Sequence, residues 1–115
     1  MTSQDTFSAA EDFAYALKNL KRATLVGEST GGGAHPSSEH RLTEHFAMIV
    51  PSGRSISPIT NTDWEGVGVQ PDVSIDADKA LDKAQSLYLT ELLATTQDEA
   101  TRKRIHERLA AINRG

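Results

Sequence analysis

One stretch near the start of the chain, Ser8 to Gly27, narrows the fold more than any other. From Ser8 to about Lys21 the apolar residues Phe13, Ala16, Leu17 and Leu20 recur at helical spacing, and Ala9, Ala10 and Ala14 add propensity. The run "ATLVGE", Ala23 to Glu28, then shows the pattern of a buried strand, a short β-branched segment closed by glycine. A helix that feeds a strand through so short a turn packs against it, so an α/β layer is expected. Ser8 and Glu11 also have capping-box spacing, in which the serine oxygen accepts from a free helix N–H and the glutamate reaches back. A serine exposed on a sharp turn into a helix is equally where hydrolases place nucleophiles, so Ser8 carries two readings.

Beyond this unit, "STGGGAHPSSEHRLTEH" is rich in glycine, serine and histidine and reads as a loop. "FAMIVPSGRSISPI" reads as a hairpin: an apolar strand, a Pro-Ser-Gly turn, and a second arm "RSISPI", with both arms expected in the sheet. "TNTDWEGVGVQPDV" carries turn formers, the only tryptophan and two glycines, and reads as an ordered surface loop that ends in an extended "PDVSI". Trp64 is expected to anchor that loop to the body. From Asp76 the pattern is helical, with Ala80, Leu81, Ala84, Leu87, Tyr88 and Leu92 on one face and Asp76 or Asp78 as the cap. A second helix over about Asp98 to Ile112 has Ile105, Leu109 and Ile112 as its stripe. The pair is expected to form a helical hairpin covering the sheet.

Composition removes several function classes. The 115 residues carry a net charge of −4 with no basic face and few stacking aromatics, which argues against nucleic-acid binding. Without cysteine there are no disulfides, thiolate zinc sites or cysteine nucleophiles. The longest apolar run, Phe46 to Val50, is far short of the ~20 residues of a membrane helix. The opening "MTSQDTFSAAED" lacks the basic-then-apolar pattern of a signal peptide, so the chain as it stands is expected in the cytoplasm. His35, His40 and His45 recur at a spacing that neither a helix nor a strand places on one face, so they read as solvated loop residues and no metal is expected. Gly31 to Gly33 lack a following G-K-[ST], and no nucleotide or other cofactor is expected.

The segments "TSQDTFSAAEDFAYALKNLKRATLVGESTGGGAHP" and "VPSGRSISPITNTDWEGVGVQPDV" together resemble the C-terminal half of the catalytic domain of the carboxy-terminal processing, or tail-specific, serine peptidases. Within that family they are most similar to the branch with the repeats of interphotoreceptor retinoid-binding protein, and more distantly to the tricorn protease core. The resemblance implies an α/β fold, an incomplete crotonase/ClpP-like layered arrangement of helix, buried strand, hairpin and extended loop. Residues 1–75 would be the C-terminal part of the catalytic domain and 76–115 a helical hairpin packed on it.

It also implies site residues. The family's nucleophile falls on Ser8, the amide of Ala9 would serve the oxyanion hole, and Glu65 in "WEGVGVQPD" matches a glutamate that assists a histidine base. Lysine-dependent members carry their base about 25 residues beyond the serine, which here is Gly33, so a Ser-Lys dyad at that place is excluded. The histidine of the tricorn-like members lies upstream of the serine, beyond Met1 in this chain, and a truncation or a misassigned start is expected. His35, on the loop resembling the active-site rim, is the candidate replacement base. The implied substrate is an unstructured polypeptide end, in a family that is often exported. The alternative partner is a lipophilic small molecule or peptide bound without catalysis, as in the retinoid-binding repeats. An unpaired sheet edge would favour a homo-oligomer.

Overall fold

The computed structural model describes residues 1–114. Its first helix, α1 (Ala9–Asn19), begins where expected and ends in a Schellman turn. Arg22 N–H donates to the Leu17 carbonyl at 2.8 Å and Lys21 N–H to that of Lys18 at 2.9 Å, with Lys21 left-handed at φ 53°. The reversal delivers the chain into β1 (Val26–Gly27), which pairs in parallel with β4 (Val73–Ser74). On the other side of β1, Thr2 N–H donates to the Val26 carbonyl and Glu28 N–H to that of Thr2, both at 3.0 Å. Gly27, at φ +135°, is required here, because a Cβ would stand 2.0 Å from the Thr2 carbonyl oxygen. Asp72 joins this layer to α1, accepting from Leu25 N–H at 2.8 Å and pairing with Lys18 at 3.0 Å.

The hairpin lies one segment earlier than its sequence pattern suggests. β2 (Ser37–Arg41), read as loop, pairs antiparallel with β3 (Ala47–Pro51), from Ser37 opposite Pro51 to Arg41 opposite Ala47. The arm "RSISPI" is not a strand. Pro58 has no N–H for a ladder, and the Ser57 hydroxyl turns the backbone by accepting from the amides of Ile59 at 3.2 Å and Thr60 at 3.4 Å. Nor does the hairpin join the other strands: the described residues form two separate two-stranded sheets, β1–β4 and β2–β3.

The core is small: Ala14, Leu25, Ala34, Trp64 and Val69, with Tyr15 packed against it. Tyr15 and Trp64 meet in a tilted ring pair with centroids 5.1 Å apart, so Trp64 does hold its loop to the body. The inward face of α1 is rotated from the expected stripe: Glu11 and Ala14 are buried, whereas Phe13 and Leu20 are exposed. The rotation follows from Glu11, whose carboxylate has all its hydrogen-bond donors on that side.

After a 3-10 turn (Ala77–Lys79) come α2 (Ala80–Thr95) and α3 (Glu99–Ile112). Asp98 caps α3 by accepting from Thr101 N–H at 2.8 Å, and Arg102 closes the end of α2 by donating to the carbonyls of Leu93 and Thr96. Ala80 and Ile105 are buried, but Leu81, Leu87 and Tyr88, expected to face inward, are exposed. With extents of 68 × 31 × 19 Å and a radius of gyration of 19.4 Å, against roughly 13 Å for a compact domain of this length, the molecule is too elongated to cover them.

Candidate active site

The turn into α1 holds Ser8 in an unusual backbone state, φ 54° and ψ −120°, a region that glycine fills readily and other residues avoid. Its side chain is exposed. The Ser8 carbonyl accepts from the amides of Glu11 at 2.9 Å and Asp12 at 3.0 Å, which satisfies the helix start through the backbone. The Ser8 amide donates to Glu11 Oε2 at 2.8 Å, the glutamate half of the capping box, while the Ser8 hydroxyl makes no cap hydrogen bond of ordinary geometry. The Ala9 amide has no acceptor among the described residues. An exposed hydroxyl in capping-box position and an N–H with no acceptor among the described residues therefore stand on adjacent residues at a helix N-terminus.

Glu11 is the centre of the arrangement. It is completely buried, and besides Ser8 it accepts from the Thr30 hydroxyl, from Gly32 N–H at 2.7 Å and from Gly33 N–H at 2.8 Å. Burial is the largest influence on its acidity and pushes its pKa up, but the hydrogen bonds from Thr30, Gly32, Gly33 and Ser8 together outweigh it. The carboxyl is held below its ordinary value and stays ionised. Thr30 passes the tie onward, since its hydroxyl accepts from Val69 N–H at 2.7 Å. Gly68, at φ +71°, lets that loop close in, as a Cβ there would lie 2.1 Å from the Thr30 carbonyl oxygen.

A second cluster surrounds the next part of the same loop. Glu65 Oε2 accepts from the amides of Ala34 at 2.6 Å and His35 at 3.0 Å, and its Oε1 lies 3.7 Å from His35 Nδ1. The other ring nitrogen, Nε2, lies 3.7 Å from Asp63 Oδ2 and is buried with no hydrogen-bond partner. Asp63 is fixed by Arg54 Nε at 2.5 Å and accepts from Glu65 N–H at 3.1 Å, and these two contacts hold its carboxyl below the ordinary range. Glu65 and His35 are thus brought together, whereas no hydrogen bond joins Ser8 to either of them among the described residues. Gly33 contacts the ring of Phe7: a Cβ there would stand 2.2 Å from Phe7 Cζ.

Residues 1–75 match the family model described as Peptidase family S41. The chain belongs to peptidase family S41. It is 38% identical over 72 residues to carboxyl-terminal-processing peptidase 2, chloroplastic, of Arabidopsis thaliana, and 35% identical over 72 residues to peptidase 1 of the same plant. Each match covers 63% of this chain but 14% of the relative. Among solved structures, a photosystem II D1 C-terminal processing protease superposes with a TM-score of 0.55 at 33% identity, covering 66% of this chain and 19% of that one. This S41 chain therefore spans about one-seventh of the curated relatives' length. No helix among the described residues is long and apolar enough to cross a membrane.

Three residues of the candidate site escaped sequence reasoning in their observed roles. Glu11 was visible only as a cap, because its other donors lie 19 to 22 positions away. Asp63 and Arg54 carried no motif. The one signal was that Asp63 sits two residues before Glu65, the spacing at which an aspartate accepts from a turn amide.

Proposed function

We propose that this S41 chain is the nucleophile-bearing portion of a serine peptidase acting on polypeptides, with the layered α/β arrangement of that family. Ser8 is the nucleophile, the Ala9 N–H a donor to the oxyanion, and Glu65 the group that orients the His35 loop. The observation that carries this is the strained, exposed Ser8 beside an unoccupied Ala9 amide at the start of α1. Ser8 Oγ would attack the peptide carbonyl carbon, its proton passing to a base, while the carbonyl oxygen takes up negative charge against Ala9 N–H. The amine then leaves with a proton from that base, and water releases the acyl group.

His35 is the proposed base within this chain. Both its nitrogens face carboxylates, so Ser8 has no hydrogen-bonded proton acceptor, and a serine lacking one loses several orders of magnitude in rate. The isolated chain is expected to cleave peptides barely or not at all.

Ser8 reactivity tests the assignment directly. Incubation with a fluorophosphonate, followed by intact-mass and peptide mapping, should place a slow adduct on Ser8 and on no other serine. If His35 is the base, the labelling rate falls in His35→Ala. Labelling spread over many serines overturns the nucleophile; a rate unchanged in His35→Ala overturns the base.

A further inference from the structure

The β2–β3 hairpin pairs with no other strand among the described residues, so each of its strands has an open edge. The Phe46 carbonyl accepts from Leu42 N–H at 2.9 Å and the Pro36 carbonyl from Ser52 N–H at 2.8 Å. Backbone direction alternates along an antiparallel ladder, so Phe46, Met48, Val50 and Ser52 turn their polar groups toward β2, and Ala47, Ile49 and Pro51 turn theirs outward. The outward amides, those of Ala47 and Ile49, have no acceptor among the described residues.

The two edges differ in chemistry. Charged side chains ordinarily protect an open strand edge, and β2 carries Glu39 and Arg41. β3 reads Ala-Met-Ile-Val-Pro with no charge, and its proline stands at the very end. Phe46, Met48 and Ile49 are 71%, 51% and 64% exposed, and Leu42, opposite Phe46, is exposed too. Side-chain alternation places Leu42, Phe46, Met48 and Val50 on one face of the hairpin.

A second, antiparallel β3 is complementary to this edge. With Met48 facing Met48 of the second copy across a two-fold axis, Ala47 of each copy stands opposite Ile49 of the other. Both outward amides of each copy then find a carbonyl, in four hydrogen bonds. Sliding the register one way brings in Pro51, which has no N–H, and sliding it the other way calls on His45 N–H, already donated to Thr43 Oγ1 at 3.3 Å. The side chains agree with the backbone. Phe46 meets Val50 of the second copy, and two sets of Leu42, Phe46, Met48 and Val50 close into one apolar cluster. On the opposite face, each row across the sheet that starts at Glu39 of one copy ends at Arg41 of the other, so like charges do not meet.

We propose that this chain self-associates as a two-fold dimer through β3, forming a four-stranded antiparallel sheet with a second copy. The contact is small, on the order of 1,000 Å² in total, at the low end of specific interfaces, so the dimer is micromolar and reversible. It does not depend on the peptidase reading.

Sedimentation of the 115-residue chain from about 1 µM to about 1 mM should show monomer passing reversibly to dimer and no further. Ile49→Pro removes an outward amide and leaves the bonds to β2 in place, and should weaken the dimer about tenfold or more. Met48→Lys and Met48→Glu each set like charges face to face on the axis and should be monomeric alone, whereas a mixture of the two should form a one-to-one heterodimer. That rescue also shows that both variants are folded. The chain has no cysteine, so Met48→Cys introduces a single thiol. Residues facing each other in a non-hydrogen-bonded antiparallel pair lie at disulfide distance, about 4.5 Å between Cα atoms, and this variant should oxidise to a covalent dimer far faster than Glu39→Cys.

A chain that stays monomeric throughout overturns the proposal, as does a dimer that persists in Met48→Lys or a Lys/Glu mixture that fails to associate. So does a monomer whose Ala47 and Ile49 amides gain hydrogen-exchange protection only when an extended apolar peptide is added, which assigns the edge to a foreign polypeptide instead.

Discussion

Glu11→Gln isolates the contribution of the buried carboxylate while changing almost no volume. Each carboxylate oxygen serves two donors: Oε2 takes the amides of Ser8 and Gly33, and Oε1 takes Gly32 and the Thr30 hydroxyl. A glutamine offers one oxygen and one NH₂. With the NH₂ toward Ser8 and Gly33, two amides are orphaned. With it toward Thr30, the hydroxyl can reverse and accept, but Gly32 still faces a donor. At least one buried amide therefore loses its partner, at roughly 1–3 kcal/mol, and the retained bonds lose their charge assistance, roughly another 1 kcal/mol. The expected destabilisation is about 3 kcal/mol, a drop in melting temperature of more than ~10 °C for a chain of this size. Urea denaturation followed by circular dichroism reads it.

Acid gives a second reading of the same group. Because the folded Glu11 pKa is depressed, its stabilisation is complete above the unfolded value of roughly 4.3 and is lost as pH falls through the folded one. The gap between wild type and Glu11→Gln should therefore narrow in acid. A variant within about 0.5 kcal/mol of wild type at pH 7, or a gap that does not narrow below pH ~4, refutes the reasoning.

Two further substitutions test the backbone. Ser8→Gly should be more stable than Ser8→Ala by about 1–2 kcal/mol, because only glycine adopts φ 54°, ψ −120° without strain, and equal urea midpoints would show that the turn stores none. Gly68→Ala should destabilise by about 2 kcal/mol or more, since the new methyl meets the Thr30 carbonyl and the residue must keep φ +71°. Hydrogen exchange at the Val69 amide, which bonds Thr30, should rise in step, and unaltered protection there would count against that contact.

What was legible in the sequence was local. α1, β1, α2 and α3 follow from apolar spacing, propensity and caps within a few residues of each element; the helix bounds are close to those expected, while β1 is confined to Val26–Gly27 within the expected Ala23–Glu28. The family resemblance is what singles out Ser8 and Glu65 as the proposed site residues. The errors arose where a distant partner decides the outcome. "SSEHR" has no apolar alternation and becomes a strand only because "AMIVP" lies opposite, and "RSISPI" alternates yet is turned by Ser57 and Pro58. The inward face of α1 was misjudged for the same reason: apolar spacing pointed at Phe13 and Leu20, but an ionised carboxylate with four donors outweighs them.

Glu11 also changes what the absence of a lysine means. Lysine-dependent relatives of the kind this chain resembles would need a side chain at position 33, yet here the Gly33 amide is committed to Glu11 and its Cβ direction is filled by the Phe7 ring. Position 33 thus lacks space as well as a proton acceptor. Phe7 is 58% exposed, and its ring can swing outward, so the obstruction is a soft one. The backbone commitment is firmer, because releasing Gly33 would leave both its amide and one lone pair of a buried carboxylate unmatched. Within the proposed peptidase reading, the base assigned to Ser8 is therefore His35, bracketed by Glu65 and Asp63 on the far side of the loop, and not a residue along the Ser8–Glu11–Gly33 tie.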